Sequence, residues 1–247
     1  MKIVRYLLGA LLVIQAFVVA PVFAQKMATV NVVQIFGTVD PAKVNDYTEY
    51  MAAVNMYEAL TTLDSSGSIK PLLAESWDVS ADTLTYTFKL KSGATFQDGS
   101  PVEAKDVVYS VNRLLALNEG PSYLFEGVLD ENSVSAVGND KVEFKLKKVY
   151  TPFLTNTPIL FVVNSDVAEA NKTSSDPWAQ DFIANNTIGA GAFKMTNWER
   201  GATMTMERYT GYHLGWGSDA IDKVRFVVTN EEATVKALAA SGELSMS

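Results

Sequence analysis

The sequence has no cysteine among its 247 residues and a single histidine, His213. The first absence excludes disulfides, thiol nucleophiles, iron–sulfur clusters, cysteine zinc sites and a lipid-modified cysteine within these residues. The second leaves little material for a histidine-based metal site or a catalytic triad. Basic residues are also scarce, since 20 Lys and Arg face 28 Asp and Glu, for a net charge of −8. Such an acidic chain is a poor match for a nucleic-acid backbone, so we expect no nucleic-acid partner.

Long apolar runs are equally rare, and the one that stands out lies at the N-terminus. Residues 6–20 follow the basic residues Lys2 and Arg5, and Ala24 supplies a small residue shortly after the run. This order is typical of a secretory signal peptide, so residues 1–24 are predicted to be one, cleaved after Ala24. The alternative is an uncleaved anchor, but the run is shorter than the ~20 residues that span a bilayer. We therefore expect a periplasmic protein that is soluble after cleavage.

Hydrophobic residues make up 48% of the chain and charged residues 19%, which indicates a globular protein. Their spacing predicts strands over 28–36, 84–90, 192–198, 203–208 and 223–228, a hairpin over 134–146, and helices over 46–60, 100–118 and 231–240. Ser100 is the predicted N-cap of the second helix, with Glu103 closing a capping box. Residues 241–247 read as the start of a further strand. The class is mixed α and β, with much of the sheet antiparallel.

No catalytic constellation is recognisable, because neither G-x-S-x-G nor H-E-x-x-H occurs. Asp98 and Asp106 are conceivable acid–base partners, but a turn position for Asp98 and a helix-surface position for Asp106 are favoured. His213 is predicted to be a packed or exposed loop residue rather than a metal ligand. Gly189-Ala190-Gly191 lacks the rest of a nucleotide-binding motif, so its glycines indicate a tight turn or close backbone packing. We therefore expect that the protein is not an enzyme and that it has no catalytic residue, no metal site and no cofactor.

Seven blocks follow one another in a fixed order. They are NMYEAL (55–60), PLLAESW (71–77), LTYTFKL (84–90), GATFQDGSP (93–101), AKDVVYS (104–110), IGAGAF (188–193) and ERY (207–209). The ordered series resembles the peptide/nickel-type, family 5 extracytoplasmic solute-binding proteins of ABC transporters, over nearly all of residues 28–245. Two departures stand out. Ala190 and Ala192 replace the usual threonine and proline of the glycine block, and Tyr212 and His213 stand where the family usually has a tryptophan and a glycine.

The resemblance implies an α/β fold of the type II periplasmic-binding-protein class, with a main lobe built on a mixed sheet and a small α+β subdomain. Residues 25–39 and 168–247 are the implied main lobe, which is incomplete, and residues 40–167 the implied inserted subdomain. Family members are roughly twice as long, beyond the usual single-core limit, so the second lobe is expected to be missing from these residues. A natural truncation and a partial gene both remain open.

The implied function is the substrate-binding component of an ABC transporter, which captures di- and oligopeptides in the periplasm and delivers them to permease subunits in the inner membrane. An oligosaccharide, an opine or chelated nickel is an alternative ligand. An exported hydrolase and a structural or chaperone-like protein are alternatives of other classes. We expect a monomer, and we expect this chain alone to bind ligand poorly because half of the cleft is lacking.

The charged groups that recognise peptide termini lie mostly in the second lobe of the family, so the first-lobe wall supplies the candidates here. These are Gln34, Phe36, Gly37, Thr38, Val39 and Tyr123. The segment leaving the first strand can offer backbone hydrogen bonds to an extended peptide, whatever the peptide's side chains. Tyr123 can cover a ligand with its aromatic face while its hydroxyl stays in water. Packing within the lobe is the alternative for each residue.

Overall fold

A computed structural model describes residues 26–34 and 37–245 of the chain. The predicted signal peptide, residues 1–24, and the candidate Phe36 lie outside these described residues. The strands within them are β1 Met27–Val32, β2 Glu58–Ala59, β3 Thr61–Leu63, β4 Ile69–Pro71, β5 Ala74–Val79, β6 Thr85–Leu90, β7 Val134–Val137, β8 Lys141–Lys145, β9 Phe161–Val162, β10 Phe193–Glu199, β11 Thr203–Arg208 and β12 Lys223–Val228. The α-helices are α1 Tyr47–Met56, α2 Ala104–Leu117, α3 Phe153–Asn156, α4 Ser165–Asn171, α5 Gln180–Ile183 and α6 Glu232–Ala240.

The first of two larger sheets has the strand order β1-β12-β11-β10. Strands β1 and β12 are parallel, whereas β11 is antiparallel to both of its neighbours. The predicted pair over 192–198 and 203–208 and the strand over 223–228 are confirmed. Strand β1 ends at Val32, four residues before the predicted end, because the chain bends at Val33 and Gln34.

The second larger sheet is antiparallel, with the order β5-β6-β8-β7. Its strand β6 shows the predicted alternation, since Tyr86, Phe88 and Leu90 are buried while Lys89 is exposed. The predicted hairpin is confirmed as β7 and β8. Helix α2 covers the buried face of this sheet, and Val107, Val111 and Leu114 enter the shared core.

Two hydrophobic cores divide the buried residues. One is centred on the β5–β8 sheet and α2, and it draws almost all of its residues from positions 42–162. The other lies against the sheet of β1, β12, β11 and β10 and includes Val32, Met204 and Phe226. Helix α1 packs in this second core through Ala52 and Met56, although the predicted subdomain 40–167 contains it. Mixed α/β architecture with two packed sheets matches the predicted fold class.

Two predicted boundaries are wrong for reasons of tertiary packing. The helix predicted over 46–60 stops at Met56, because Tyr57 is extended and the next two residues pair with β9 as strand β2. The cap of α2 is Glu103 rather than Ser100. Ser100 lies in a turn, where its hydroxyl donates to Asp98 Oδ1 at 2.6 Å.

The C-terminal stretch differs from its prediction as well. Ser241 and Gly242 form a turn after α6, and the residues up to Ser245 form no strand. Ser245 N nevertheless donates to Thr29 O at 2.8 Å, on the free edge of β1. Among the helices of residues 26–34 and 37–245, none combines the length and apolar character that crossing a bilayer requires.

Candidate functional site

The segment that leaves β1 is tied to the first turn of α1. Gln34 Nε2 donates to Asp46 Oδ2 at 3.2 Å. The other oxygen of the same carboxylate, Oδ1, accepts from Glu49 N at 2.9 Å and thereby caps the helix. A carboxylate at this position also interacts favourably with the positive end of the helix dipole. Asp46 therefore starts α1 and anchors Gln34 to it.

Glu49 holds the same segment from inside the protein. It is buried, and its carboxylate accepts from Gly37 N at 3.4 Å and from Asn45 N at 3.0 Å. These bonds compensate for burial of the charged group. The spacing of Asp46 and Glu49, D-x-x-E at a helix start, is the sequence signal that could have identified this pair. The segment is thus fixed by two acids that the sequence analysis did not select.

The predicted contact residues of this segment occupy different environments. Gln34 and Gly37 are exposed, and Thr38 is half-buried with its Oγ1 accepting from Asp40 N at 3.0 Å. Val39 is only 3% exposed, and its N–H donates to Ala184 O at 3.3 Å. The side chain of Val39 therefore packs in the core rather than at the surface.

Tyr123 lies on a 3-10 turn, Gly120–Phe125, that packs against the chain just beyond the segment. A Cβ on Gly120 would lie 2.7 Å from Ala42 O, so only glycine permits this approach. Tyr123 itself is 70% exposed, as is Tyr47 at the start of α1 at 76%. In the described residues no hydrogen bond joins Tyr123 to Gln34, Gly37 or Thr38. The turn is held to residues 42–44 by close packing at Gly120 and by an ion pair between Lys43 and Glu119 at 3.1 Å.

The glycine block packs tightly against the end of α1, which is the close backbone packing among its two predicted roles. A Cβ on Gly191 would lie 2.4 Å from the carbonyl carbon of Met56. Gln97 locks this contact, because its Nε2 lies within 3.1 Å of the carbonyl oxygens of Met56, Gly191 and Phe193. These glycines let the chain before β10 pack directly on the end of α1 and do not form a nucleotide loop.

The acids considered for catalysis are structural. Asp98 lies in its predicted turn and accepts from Ser100. Asp106 is not on the helix surface as predicted but is 1% exposed, with its carboxylate accepting from Ser165 N and Oγ and from Glu103 N. Burial raises the pKa of Asp106, and the hydrogen bonds from Ser165 oppose this rise. Asp106 therefore joins α2 to α4.

His213 is a packed residue, which is one of its two predicted placements. Its Nε2 lies 2.6 Å from Glu58 Oε2, and Tyr212 OH donates to Glu58 Oε1 at 2.6 Å. Burial and the neighbouring Glu58 carboxylate raise the pKa of Tyr212. This cluster links β2 to the loop after β11. Over the described ranges, no three His, Cys, Asp or Glu side chains converge as metal ligands would.

Known proteins are similar to this chain in both sequence and fold. Residues 68–247 match the family model described as bacterial extracellular solute-binding proteins, family 5 middle. The dipeptide-binding protein DppE of Bacillus subtilis is 31% identical over 209 residues, which cover 77% of this chain and 37% of that protein. The glutathione-binding protein GsiB of Pectobacterium atrosepticum is 28% identical over 244 residues, which cover 98% of this chain and 46% of that protein.

A solved structure gives the same result. The ABC transporter substrate-binding protein CtaP of Listeria monocytogenes superposes with a TM-score of 0.77 at 28% identity, covering 89% of this chain and 44% of that one. The chain thus spans less than half the length of the relatives it matches. The fold and the resemblance predicted from the ordered blocks are confirmed. The chain belongs to the family 5 bacterial extracellular solute-binding proteins.

Proposed function

We propose that this chain supplies one wall of a peptide-binding cleft in the substrate-binding component of an ABC transporter. Membership in family 5 supports the receptor role, and the relatives above carry names that state dipeptide and glutathione binding. The observation that carries the proposal is the segment after β1, which is anchored by side chains yet keeps main-chain groups unpaired.

The main-chain groups of Gln34 and Thr38 make this segment suitable for an extended peptide. Within the described residues, neither their N–H nor their C=O groups have a hydrogen-bond partner. The anchors to Asp46 and Glu49 use the side chain of Gln34 and the N–H of Gly37. An extended peptide can pair with such groups whatever its side chains are, which suits a receptor for many peptides.

Exposed aromatic residues support the same ligand class. Tyr123 and Tyr47 each present most of their surface to solvent, although tyrosine gains from burying its ring. Covering a peptide would bury the ring while the hydroxyl remains available for hydrogen bonds. We propose Gln34, Thr38 and Tyr123 as contacts, and we add Tyr47. Gly37, whose N–H donates to Glu49 and whose C=O accepts from Arg200, is proposed to meet the ligand through its Cα only. Phe36 stays a proposal from the sequence, and the burial of Val39 removes support for its side chain.

The setting of the receptor is part of the proposal. Residues 1–24 would direct export and be removed, leaving a monomer in the periplasm that delivers peptide to permease subunits in the inner membrane. Residues 25–39 and 168–247 would belong to the main lobe and residues 40–167 to the inserted subdomain. The confinement of one core almost wholly to positions 42–162 supports this division for most of the subdomain, although α1 packs in the core of the main lobe.

Thermal unfolding of the complete gene product in the presence of separate ligand classes tests the proposal. A ligand at about 100 times its Kd stabilises the native state by roughly 2.7 kcal/mol, which raises Tm by several degrees. We expect this rise with a di- and oligopeptide library, and none with oligosaccharides, opines or nickel–histidine. A rise with one of the other classes alone would replace the peptide and keep the receptor role. No rise with any class would contradict the receptor role itself.

A further inference from the structure

Arg200, in the turn between β10 and β11, reaches across to the segment that leaves β1. Its Nη1 donates to Gly37 O at 3.1 Å, and its Nη2 donates to Asn185 Oδ1. The planar guanidinium group serves two acceptors at once in a fixed geometry, whereas the three donors of a lysine ammonium rotate freely. One side chain therefore joins the segment to the loop after α5.

The guanidinium group is itself held in place by stacking. Its carbon Cζ lies 3.9 Å from the centroid of the Trp198 ring, within the range of a cation–π interaction. Trp198 packs against the core beneath the sheet, so it gives Arg200 a rigid base. No carboxylate in the described residues forms an ion pair with Arg200, so its contacts are these two acceptors and the ring.

Further contacts beside those of Arg200 hold the segment to neighbouring elements. Val39 N donates to Ala184 O, beside the Asn185 that Arg200 contacts. Gly37 N donates to the carboxylate of Glu49 at 3.4 Å. Thus Gly37 has both main-chain groups fixed by side chains from different elements. The adjacent Thr38 keeps its own main-chain groups unpaired in the described residues.

We propose that Arg200 is a positioning residue that sets the conformation of Gly37 and Thr38 for ligand contact, with Trp198 as its support. This inference rests on the proposed function, since it concerns the same segment. The bond to Gly37 O uses a main-chain group that an extended ligand would otherwise meet. It therefore also determines that the ligand pairs with Thr38 and Gln34 instead. Loss of Arg200 should loosen the segment without unfolding the sheet.

The experiment compares Arg200→Ala and Arg200→Lys with the control Arg208→Ala in the complete gene product. Arg208 lies on the same hairpin, over the ring of Trp216 at 5.2 Å and paired with Asp222, but it makes no contact with the segment. Hydrogen exchange of the paired amides of Gly37, Val39 and Asp40 reports local opening, and calorimetry gives the Kd for a dipeptide pool. The Tm of each variant separates global destabilisation from the local effect.

We expect Arg200→Ala to speed exchange at Gly37, Val39 and Asp40 and to raise the peptide Kd, each by about tenfold, as loss of a charge-assisted hydrogen bond would do. Arg200→Lys should lie between Arg200→Ala and the wild type, and Arg208→Ala should change neither quantity. Unchanged exchange in Arg200→Ala would overturn the positioning role, and faster exchange with an unchanged Kd would overturn its link to binding. If the wild type bound no peptide, the proposed function would fail, while the exchange data would still decide whether Arg200 positions the segment.

Discussion

Arg113 and Asp40 form a bidentate ion pair in the interior, with Nη1–Oδ1 and Nη2–Oδ2 distances of 2.6 Å each. The two side chains are 1% and 0% exposed. Arg113 Nε also donates to Trp178 O at 2.9 Å, and Asp40 Oδ1 accepts from Ala42 N at 3.0 Å. The pair thus fixes α2 to the chain that follows the candidate binding segment, and it joins parts of the sequence 73 residues apart.

Removing one partner of this pair should lower the free energy of unfolding substantially. Asp40→Asn leaves the guanidinium group of Arg113 buried without its counter-charge, so we expect a loss of about 3–5 kcal/mol in the free energy of unfolding. Urea denaturation followed by circular dichroism measures this loss. Glu143→Gln is the matched control, because it removes a half-buried carboxylate whose partner Lys145 is exposed, and it should cost about 1 kcal/mol or less. Equal losses in the two variants would show that the buried pair does not support the fold.

Gly191 should tolerate no side chain. Its Cβ would lie 2.4–2.6 Å from main-chain atoms of Met56, Asn55 and Tyr57, so Gly191→Ala must push two backbone segments apart. We expect a loss of at least about 1–3 kcal/mol by overpacking, measured by urea denaturation. Gly217→Ala is the control, because nothing lies within 4 Å of its Cβ position. A stable Gly191→Ala protein would mean that the glycine block does not require close packing.

Asp106 should make the free energy of unfolding fall as the pH rises, the reverse of what a carboxylate with a lowered pKa does. Burial raises its native pKa above the ordinary value of 3.8, so the native state keeps the proton where the unfolded state has lost it. Stability contributed by this group is therefore full below about pH 3.8 and falls as the pH rises through the native pKa. The unfolding free energy of the wild type minus that of Asp106→Asn should decrease as the pH rises from about 3.8 through the native pKa of Asp106.

A second variant checks the sign of this effect. Hydrogen bonds from Ser80 and Leu84 lower the pKa of Asp82. The unfolding free energy of the wild type minus that of Asp82→Asn should therefore increase as the pH rises from below the native pKa of Asp82 to about pH 3.8. Urea titrations at several pH values measure both differences. An Asp106 difference that rises with pH would contradict the raised pKa.

Local patterns predicted the strands and the helices better than the contacts between them. The alternation of Tyr86, Phe88 and Leu90 reports burial on one face directly, so β6 could be predicted from its own residues. By contrast, nothing near Tyr57 in the sequence shows that Gly189–Gly191 will pack on it and end α1 there. Arg113 and Asp40 likewise look like ordinary polar residues until the fold brings them together.

The candidate site was predictable only in part, for the same reason. The family resemblance indicated the segment after β1, but its anchors Glu49 and Arg200 come from other elements. Asp46 and Glu49 carry a capping pattern that could have been recognised. Arg200 carries no local signal, because its role depends on how the β10–β11 turn lies against Gly37.

Export should remove the first 24 residues. The basic start, short apolar run and Ala24 are expected to direct cleavage so that the mature chain begins at Gln25. The test is to express the protein with its own N-terminus in a bacterium with a periplasm. N-terminal sequencing of the protein from the periplasmic fraction then identifies the cleavage site. Ala24→Leu is expected to block cleavage. A chain that retains Met1 and stays with the membrane fraction would instead support the uncleaved anchor.

Calorimetric titration of the complete gene product with defined di- and oligopeptides is the decisive test of peptide capture. We expect saturable binding of one peptide per chain, weakened by Tyr123→Ala and by Arg200→Ala but not by Arg208→Ala. Residues 25–247 alone should bind much more weakly, since they supply one wall of the proposed cleft. Absence of peptide binding by the complete product, or equal affinity in all three variants, would contradict the proposal.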